Sequence, residues 1–454
     1  MSATVVRRVA LVGVLLATIV VLWRWTSDVD HRAESPDAVT VFGLWLGADG
    51  EAFDAVLADF TDQTGIPVRY TGSSDFDSDL RQRVSRGLEL PDIAVVPQPG
   101  LIVELASQEV VVPLDDSTVD VLVDNYPLTR EQVAPNGTGY LLPFRTHVKS
   151  LVWYRPAVFA QHGWEPPTTL DGLTDLTDEM VDAGVVPWCF AVESGSSTGW
   201  TASDWIEDLL VRRAGPDVYE QWLRGELPFT DQRVVDAVTE FDDLVLQKGH
   251  VAGGIQRVVS TSVDEGIAPL FEDPPGCAMS KDASFATSWF PDDTTVGPDG
   301  DVDFFVLPGV DDTEPAPLLR AGEGLVQFDD RDEVVQLMNF LAGPHGGDAW
   351  MERGGYLSGR TSVAPDAYGP TDRLFIDLLD GDRVEVFDAS DSFRSPLRDA
   401  WLDALVSGIA DQRGVDERDA DLQALLEDVD EVRARYEDAS SDADGIVDVE
   451  TSGD

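Results

Sequence analysis

A short glycine- and serine-rich segment is the one local pattern in this sequence that could supply a catalytic nucleophile. Residues 195–199, Gly-Ser-Ser-Thr-Gly, have the spacing G-x-S-x-G between a strand-like run and a helical one, which is typical of hydrolase nucleophile turns. His250 or His345 would then act as the general base. The predicted helix begins only near Ser203, however, and neither histidine has a distinctive setting, so the pattern also fits an ordinary loop.

Aromatic rings and carboxylates are interleaved in several predicted loops, a combination that suits carbohydrate binding. The members are Trp45, Trp200, Asp204, Trp205, Trp289 and Tyr356. Sugars have apolar C–H faces that lie on aromatic rings, and hydroxyl groups that need aligned donors and acceptors. Other tryptophans are expected in the core, namely Trp153, Trp188, Trp222 and Trp401. We expect Trp45, Trp200 and Trp289 at a binding site, because loops on a rigid scaffold often carry binding residues.

Metal and cofactor chemistry has little support in the sequence. The five histidines are dispersed, and none pairs with another at i, i+4. Cys189 and Cys277 lack the clustered spacing of a zinc site. We therefore predict no metal and no cofactor.

The elements that must position these residues alternate between strand and helix, which predicts an α/β fold with a mainly parallel sheet. Residues 39–45, 66–70 and 91–96 have strand patterns, and apolar residues at helical spacing lie between them. A continuous apolar run at 148–154 predicts another strand. Further strand-like segments occupy 185–191, 303–308 and 324–328.

Length and charge limit the classes of protein that this chain can be. A chain of 454 residues is too long for one ordinary core, so two lobes are expected. The formal net charge of -54, from 85 acidic and 31 basic residues, repels phosphate backbones and anionic lipids. We predict a monomer with no nucleic-acid partner.

The amino terminus has the pattern of an export signal or membrane anchor. Arg7 and Arg8 precede an apolar run, 9–23, that ends in Trp23-Arg24-Trp25. Cleavable signals end in small residues, so the bulky, charged exit favours an uncleaved anchor over residues 1–25, followed by a tether over 26–38. The run is short against the roughly 17–25 residues of a spanning helix, which leaves cleavage and a secreted protein as the alternative.

Several segments together resemble the bacterial extracellular solute-binding proteins of the maltose-binding type, and most closely the alpha-glucoside-binding branch of the ABC sugar importers. The segments are 39–45 (VTVFGLW), 91–100 (PDIAVVPQPG), 144–154 (FRTHVKSLVWY), 187–195 (PWCFAVESG), 199–205 (GWTASDW), 276–279 (GCAM) and 283–285 (ASF). The resemblance covers residues 39–410. Many such proteins carry a lipid-anchored cysteine just after the apolar run, which this chain lacks, and its acidic carboxyl-terminal extension lies outside the pattern.

The resemblance implies a two-lobed periplasmic-binding-protein type II fold with a hinge and an interlobe ligand cleft. The implied amino-terminal lobe is 39–150 with 308–343, and the carboxyl-terminal lobe is 151–307 with 344–438. A disordered acidic tail over 439–454 follows from its composition. The implied crossings between the lobes lie near 150–153, 304–308 and 342–345.

The implied function is that of the substrate-binding component of an ABC-type carbohydrate importer. Such a protein captures a glucoside or oligosaccharide by hinge closure and delivers it to membrane permease subunits; it is not an enzyme. Its location would be extracytoplasmic, at the cell surface, anchored by the amino-terminal segment. The alternatives are a secreted carbohydrate-active hydrolase, using the G-x-S-x-G serine or paired carboxylates, and a cell-surface structural protein.

The candidate ligand-binding residues follow the ends of predicted strands or open the next helices, where ligands bind in open α/β sheets. Aromatic contacts are expected from Trp45, Trp200, Trp289 and Tyr356. Hydrogen bonds are expected from Asp75, Arg145, Asp204 and Arg360. Arg145 has a structural alternative, which is pairing with a carboxylate of this acidic chain.

A disulfide between Cys189 and Cys277 is the last expectation from the resemblance. Both cysteines lie in strand-like segments of one implied lobe, export permits oxidation, and similar cysteines occur in the related branch. The alternative is two free, buried thiols.

Overall fold

The computed structural model describes residues 38–134, 137–360, 363–411 and 415–440. The predicted anchor, and nearly all of the predicted tether and acidic tail, lie outside the described residues. No helix within the described ranges combines the length and the apolar character needed to cross a membrane.

The strands of the described ranges form two sheets. They are β1 (Val39–Gly43), β2 (Val68–Gly72), β3 (Ile93–Val96), β4 (Leu142–Val148), β5 (Leu151–Tyr154), β6 (Trp188–Cys189), β7 (Met279–Lys281), β8 (Asp303–Val306), β9 (Leu318–Gln327) and β10 (Glu385–Phe387). Short 3-10 turns occur at Gly195–Ser197, Ala268–Phe271, Ser284–Trp289 and Pro365–Ala367.

Helices cover both sheets. They are α1 (Gly47–Thr64), α2 (Phe76–Arg86), α3 (Pro99–Ser107), α4 (Asp116–Asn125), α5 (Arg130–Val133), α6 (Pro156–His162), α7 (Leu170–Asp182), α8 (Trp200–Ala214), α9 (Pro216–Leu223), α10 (Gln232–Val245), α11 (Ile255–Val258), α12 (Val263–Gly266), α13 (Asp332–Ala342), α14 (Asp348–Met351), α15 (Pro370–Leu379), α16 (Ala389–Ser392), α17 (Ser395–Ala410) and α18 (Val415–Ser440). Local sequence explains their limits. The side chain of Asp231 caps α10 by accepting from the Arg233 N–H, and α1 ends at Gly65 in the left-handed region (φ 77°).

The first sheet has the order β10-β9-β3-β1-β2, with β4 also paired to β9. The pairs β1/β2, β1/β3 and β9/β10 are parallel, whereas β9 runs antiparallel to β3 and β4. All four residues of β3 are buried, as expected of a strand with both faces covered. The prediction of an α/β fold is confirmed, with a mixed rather than mainly parallel sheet.

The second sheet has the order β6-β7-β5-β8, and only β6/β7 is parallel. The predicted continuous strand 148–154 is divided, because the chain leaves the first sheet after β4 and enters the second at β5, across Lys149 and Ser150. It returns between β8 and β9. The disulfide joins Cys189 of β6 to Cys277, just before β7, with the two Cα atoms 5.5 Å apart.

The segment from α14 to β10 lies on the first sheet, although the implied division places it in the carboxyl-terminal lobe. The ring of Trp350 packs 4.7 Å from that of Trp45, and β10 pairs with β9. The chain passes to the core of the second sheet only after β10, where Phe393 and Trp401 pack against Trp222. Short apolar segments do not reveal in their own sequence which sheet they cover, and this explains the difference.

Candidate functional site

The candidate site forms where the chain crosses from the first sheet to the second. Arg145, His147 and Lys149 alternate along β4 and its exit, a spacing that places side chains on one side of a strand. All three are buried, and Arg145 lies opposite Glu323 of β9 in the ladder. Buried polar groups of this kind require partners, and those partners define the site.

The buried carboxylate of Glu323 is a shared partner of His147 and Trp45 in the first lobe. Its Oε2 lies 2.8 Å from Nε2 of His147, and its Oε1 accepts a hydrogen bond from the Trp45 indole at 3.3 Å. Burial would raise the pKa of Glu323, but His147, Arg145 and the Trp45 indole lower it to about 2. Burial lowers the pKa of His147 despite the neighbouring carboxylate. The carboxylate is therefore ionised and held on both oxygens.

Lys149 connects three parts of the chain at the crossing. Its Nζ lies 2.9 Å from Asp204 of α8, forms a short contact with Asp388, and lies 4.0 Å from Asp391 of α16. Burial would lower the pKa of Lys149, but the three carboxylates raise it well above its usual value. Burial and the neighbouring Asp388 raise the pKa of Asp391 to about 7. The Asp391 side chain is 13% exposed, and a carboxyl group that titrates near neutral pH can both donate to and accept from hydroxyl groups of a ligand.

Glu207 fixes the helix that carries Asp391. Its carboxylate accepts the backbone N–H groups of Ala389 (2.7 Å) and Ser390 (3.2 Å) at the start of α16. The Ser203 hydroxyl (2.7 Å) and the Tyr219 hydroxyl (2.6 Å) complete its shell. Burial and the nearby Asp388 raise the pKa of Glu207 to about 8. This anchoring sets the position of Asp391 beside Lys149.

Three partly exposed aromatic residues line the second lobe next to these charges, and we name them the aromatic wall: Trp200, Phe285 and Trp289. The Phe285 ring lies 5.9 Å from Trp200 and 5.3 Å from Trp289. It also meets His147 edge-on at 5.0 Å. The Trp200 ring lies 5.0 Å from Nζ of Lys149. The wall therefore borders the polar groups of both sheets.

The structure places Trp200, Asp204 and Trp289 together at the wall and Lys149. Trp45 is buried instead, packed 4.7 Å from Phe53. Its predicted role in stacking would need an open ring face, and only 3% of the residue is exposed.

The remaining predicted residues contact the protein itself. Arg145 pairs with Asp49 (3.1 Å) and donates to the Gly355 carbonyl, as its structural alternative expected. The buried Tyr356 hydroxyl donates to the Phe144 carbonyl, and Arg360 donates to the carbonyl of Gly343. Asp75 accepts hydrogen bonds from Ser196.

Five site residues had not been predicted: His147, Lys149, Phe285, Glu323 and Asp391. The alternation of His147 and Lys149 through an apolar run is a signal that could have revealed them. Glu323, an acidic residue within a buried strand, is a second such signal. Asp391 gives no local signal, because α16 is short and is positioned by Glu207 from a distant part of the chain.

The G-x-S-x-G segment forms a 3-10 turn followed by Gly199 in the left-handed region (φ 104°). The two candidate bases make other contacts. His250 Nδ1 lies 2.9 Å from the Leu244 carbonyl, and His345 Nδ1 lies 2.7 Å from Asp348. Within the part of the chain that the structure describes, no three His, Cys, Asp or Glu side chains are arranged to hold a metal ion.

Comparison with known proteins gives consistent matches in sequence. The bacterial extracellular solute-binding protein family matches residues 45–348. The chain is 34% identical to the osmoprotective compounds-binding protein GgtB of Synechocystis sp., over 83% of this chain and 89% of that one. It is 36% identical to the alpha-glucosides-binding periplasmic protein AglE of Rhizobium meliloti, over 73% of this chain and 74% of that one.

Solved structures share the fold at low identity. The bacterial solute receptor AcbH, described with a preference for b-D-galactopyranose, superposes with a TM-score of 0.73 at 18% identity, covering 88% of this chain and 98% of the receptor. Maltose-bound MalE3 of T. maritima gives a TM-score of 0.65 at 17% identity, covering 86% and 99%. These likenesses confirm the predicted two-lobed fold class.

Proposed function

This chain belongs to the family of bacterial extracellular solute-binding proteins, and on that premise we propose that it captures a glucoside or a short oligosaccharide between its two lobes for import. The family is extracellular, so the chain acts outside the cytoplasm. The comparisons support its role as the substrate-binding component of a carbohydrate importer.

The observation that carries the proposal is the aromatic wall beside Lys149 and Asp391. Trp200 and Phe285 offer apolar faces of the kind on which sugar C–H groups stack. Asp391, which lies 4.0 Å from Lys149, offers a carboxyl group that can hydrogen-bond to hydroxyl groups. Both kinds of group occur where the two sheets meet, as a ligand held by both lobes requires.

The names of two relatives support the proposed class of ligand. One is described as binding alpha-glucosides, and the other as binding osmoprotective compounds. Trehalose and sucrose are small α-glucosides by their chemical structure, so they meet the first of these descriptions. We take a small α-glucoside as the ligand to test first.

The proposed mechanism is hinge closure at the crossing segments. A ligand that contacts the wall and the groups around Lys149 binds the closed form better than the open one, which shifts the population toward closure. The closed form then docks on permease subunits of an ABC importer. No bond of the sugar is made or broken. The proposal also includes a monomer held at the membrane by the amino-terminal segment.

Calorimetric titration of the purified protein with maltose, trehalose and sucrose tests this function, with glycine betaine as a non-sugar control. We expect saturable binding of at least one sugar and no product by chromatography after prolonged incubation. Product formation would support the hydrolase instead. Binding of glycine betaine alone would overturn the sugar assignment.

A further inference from the structure

A direct hydrogen-bonded bridge joins the two lobes outside the candidate sugar site. Asp75 follows β2 in the first lobe, and Ser196 lies in the 3-10 turn that precedes α8 in the second. The Oδ1 atom of Asp75 accepts from the Ser196 hydroxyl at 2.7 Å and from the Ser196 backbone N–H at 3.2 Å. One carboxylate oxygen thus receives two donors from the opposite lobe.

Both halves of the bridge are held in place by their own lobes. On the first lobe, the Asp75 N–H donates to the Ser73 hydroxyl, and the Ser73 N–H donates to the Gly43 carbonyl at the end of β1. On the second lobe, the Thr198 hydroxyl donates to the Gly195 carbonyl at 2.7 Å and accepts from the Ser194 N–H at 3.0 Å. Neither Asp75 nor the Ser196 turn therefore loses much conformational freedom when the lobes close.

The turn is shaped for the approach of the carboxylate. Gly195 adopts φ +56°, which L-residues with a side chain rarely adopt, and a Cβ at this position would lie 3.2 Å from Oδ1 of Asp75. Glycine therefore leaves room for the carboxylate against the turn. This geometry accounts for the glycine at position 195 of the G-x-S-x-G segment.

The bridge is solvent-exposed. It lies close to the aromatic wall, because Ser196 is only four residues before Trp200 in the chain. Water can hydrate both partners when the lobes separate, so the bridge contributes a modest net free energy to closure and can break and form again. We propose that Asp75 and Ser196 form an interlobe latch, a pair of positioning residues that favours the closed state and slows release of the ligand. The effect of the latch on ligand release rests on the proposed function, whereas its effect on closure of the unliganded protein does not.

Two readouts test the latch, and the first needs no ligand. One introduced cysteine on α1 and one on α10 carry fluorophores that report interlobe distance by energy transfer. In the unliganded full chain, Asp75→Ala and Ser196→Ala should each lower the closed population. The second readout is the stopped-flow dissociation rate of whichever of maltose, trehalose or sucrose the wild type binds, which should rise about tenfold in Asp75→Ala, while the association rate changes little.

Matched controls separate the latch from other effects. Ser197→Ala removes a neighbouring hydroxyl of the same turn, and Asp59→Asn removes an exposed charge from α1; neither should change either readout. The double variant Asp75→Ala/Ser196→Ala should be no more affected than Asp75→Ala, because the hydroxyl then has no carboxylate to meet. Additive effects, or a Ser196→Ala protein identical to wild type in both readouts, would overturn the latch. If no sugar binds but energy transfer falls in the variants, the latch stands and the proposed ligand fails.

Discussion

Individual side chains divide into those that hold the fold and those that remain available to a ligand. Trp45 and Trp222 are buried, and their rings pack on other rings. Trp200 differs, since its ring borders Phe285 and the Lys149 ammonium while part of it stays exposed. Burial, rather than residue type, separates the two groups.

Replacing Trp200 with alanine tests whether the wall stacks on sugar. Trp200→Ala should weaken sugar binding by roughly 1–3 kcal/mol, the scale of burying an aromatic-sized apolar face. Calorimetric titration gives the affinity. The melting temperature of the unliganded protein should change little, whereas Trp222→Ala, the control for a fully buried ring, should cost about 3–5 kcal/mol of stability. Unchanged sugar affinity in Trp200→Ala would assign this ring to the fold alone.

Asp282, just after β7, makes stability depend on pH. Burial raises the pKa of Asp282 to about 7, although the Ser280 hydroxyl and the nearby Lys281 each act to lower it. The folded state then retains a proton that the unfolded chain loses near pH 4. The free energy of unfolding should therefore fall as pH rises from about 4 to about 7. This group contributes at most about 1.4 kcal/mol per pH unit, and its contribution levels off above about pH 7.

Urea unfolding at pH 5, 6, 7 and 8 measures this dependence. Asp282→Asn cannot bind the proton in either state, so its stability should fall less steeply than that of the wild type across the window. Asp292→Asn, which changes an exposed carboxylate, should follow the wild-type curve. Parallel curves for Asp282→Asn and the wild type would contradict the assignment.

At the scale of elements, local patterns predicted the strands that fill a core and missed the places where the chain changes sheets. The predicted strand at 39–45 corresponds to β1, and the one at 91–96 to β3. The run 148–154 looked continuous because apolar residues lie on both sides of Lys149 and Ser150. The family resemblance implied a crossing near 150–153, and in the structure the chain changes sheets across Lys149 and Ser150, between β4 and β5.

The site was predicted in part for the same reason. Trp200 begins α8, Asp204 lies in the same helix, and Trp289 ends the 3-10 turn Ser284–Trp289, so their positions depend on local elements. Asp391 depends on Glu207, a residue of another helix whose carboxylate binds the start of α16. Such long-range support leaves no trace in spacing or composition.

The disulfide between β6 and the segment before β7 should contribute to stability and not to binding. It closes a loop with a sequence separation of 88, and loss of a native disulfide typically costs about 2–5 kcal/mol. Cys189→Ala/Cys277→Ala should therefore melt several degrees lower than the wild type by calorimetry, with unchanged sugar affinity. Thiol labelling of the denatured, unreduced wild type should find no free thiol. Two labelled thiols would show that the cysteines are not joined.

At the scale of the whole molecule, charge is the dominant property. The chain carries a formal charge of -54, and like charges on a compact body repel one another. Arginine and lysine number only 31 against 85 acidic residues, so the positive charges cannot balance the negative ones. Stability should therefore depend on screening.

Raising the salt concentration should stabilise the protein. The Debye length falls from about 30 Å at 0.01 M salt to about 3 Å at 1 M, which removes most repulsion between separated surface charges. We expect the melting temperature to rise steadily over this range. NaCl and KCl should act alike at equal ionic strength, because screening depends on ionic strength rather than on the ion. A flat or falling melting temperature would show that repulsion is not a significant cost in this fold.

The position of β9 in the chain has a consequence for biosynthesis. This strand pairs with β3, β4 and β10, yet the ribosome makes it long after β3. Until β9 emerges, β3 has a bare hydrogen-bonding edge and β4 has no sheet to join, so the first lobe stays incomplete. A chain that must be threaded through a membrane pore before it folds gains from this delay. The order of strands thus delays completion of the first sheet until residues 318–327 have been synthesised.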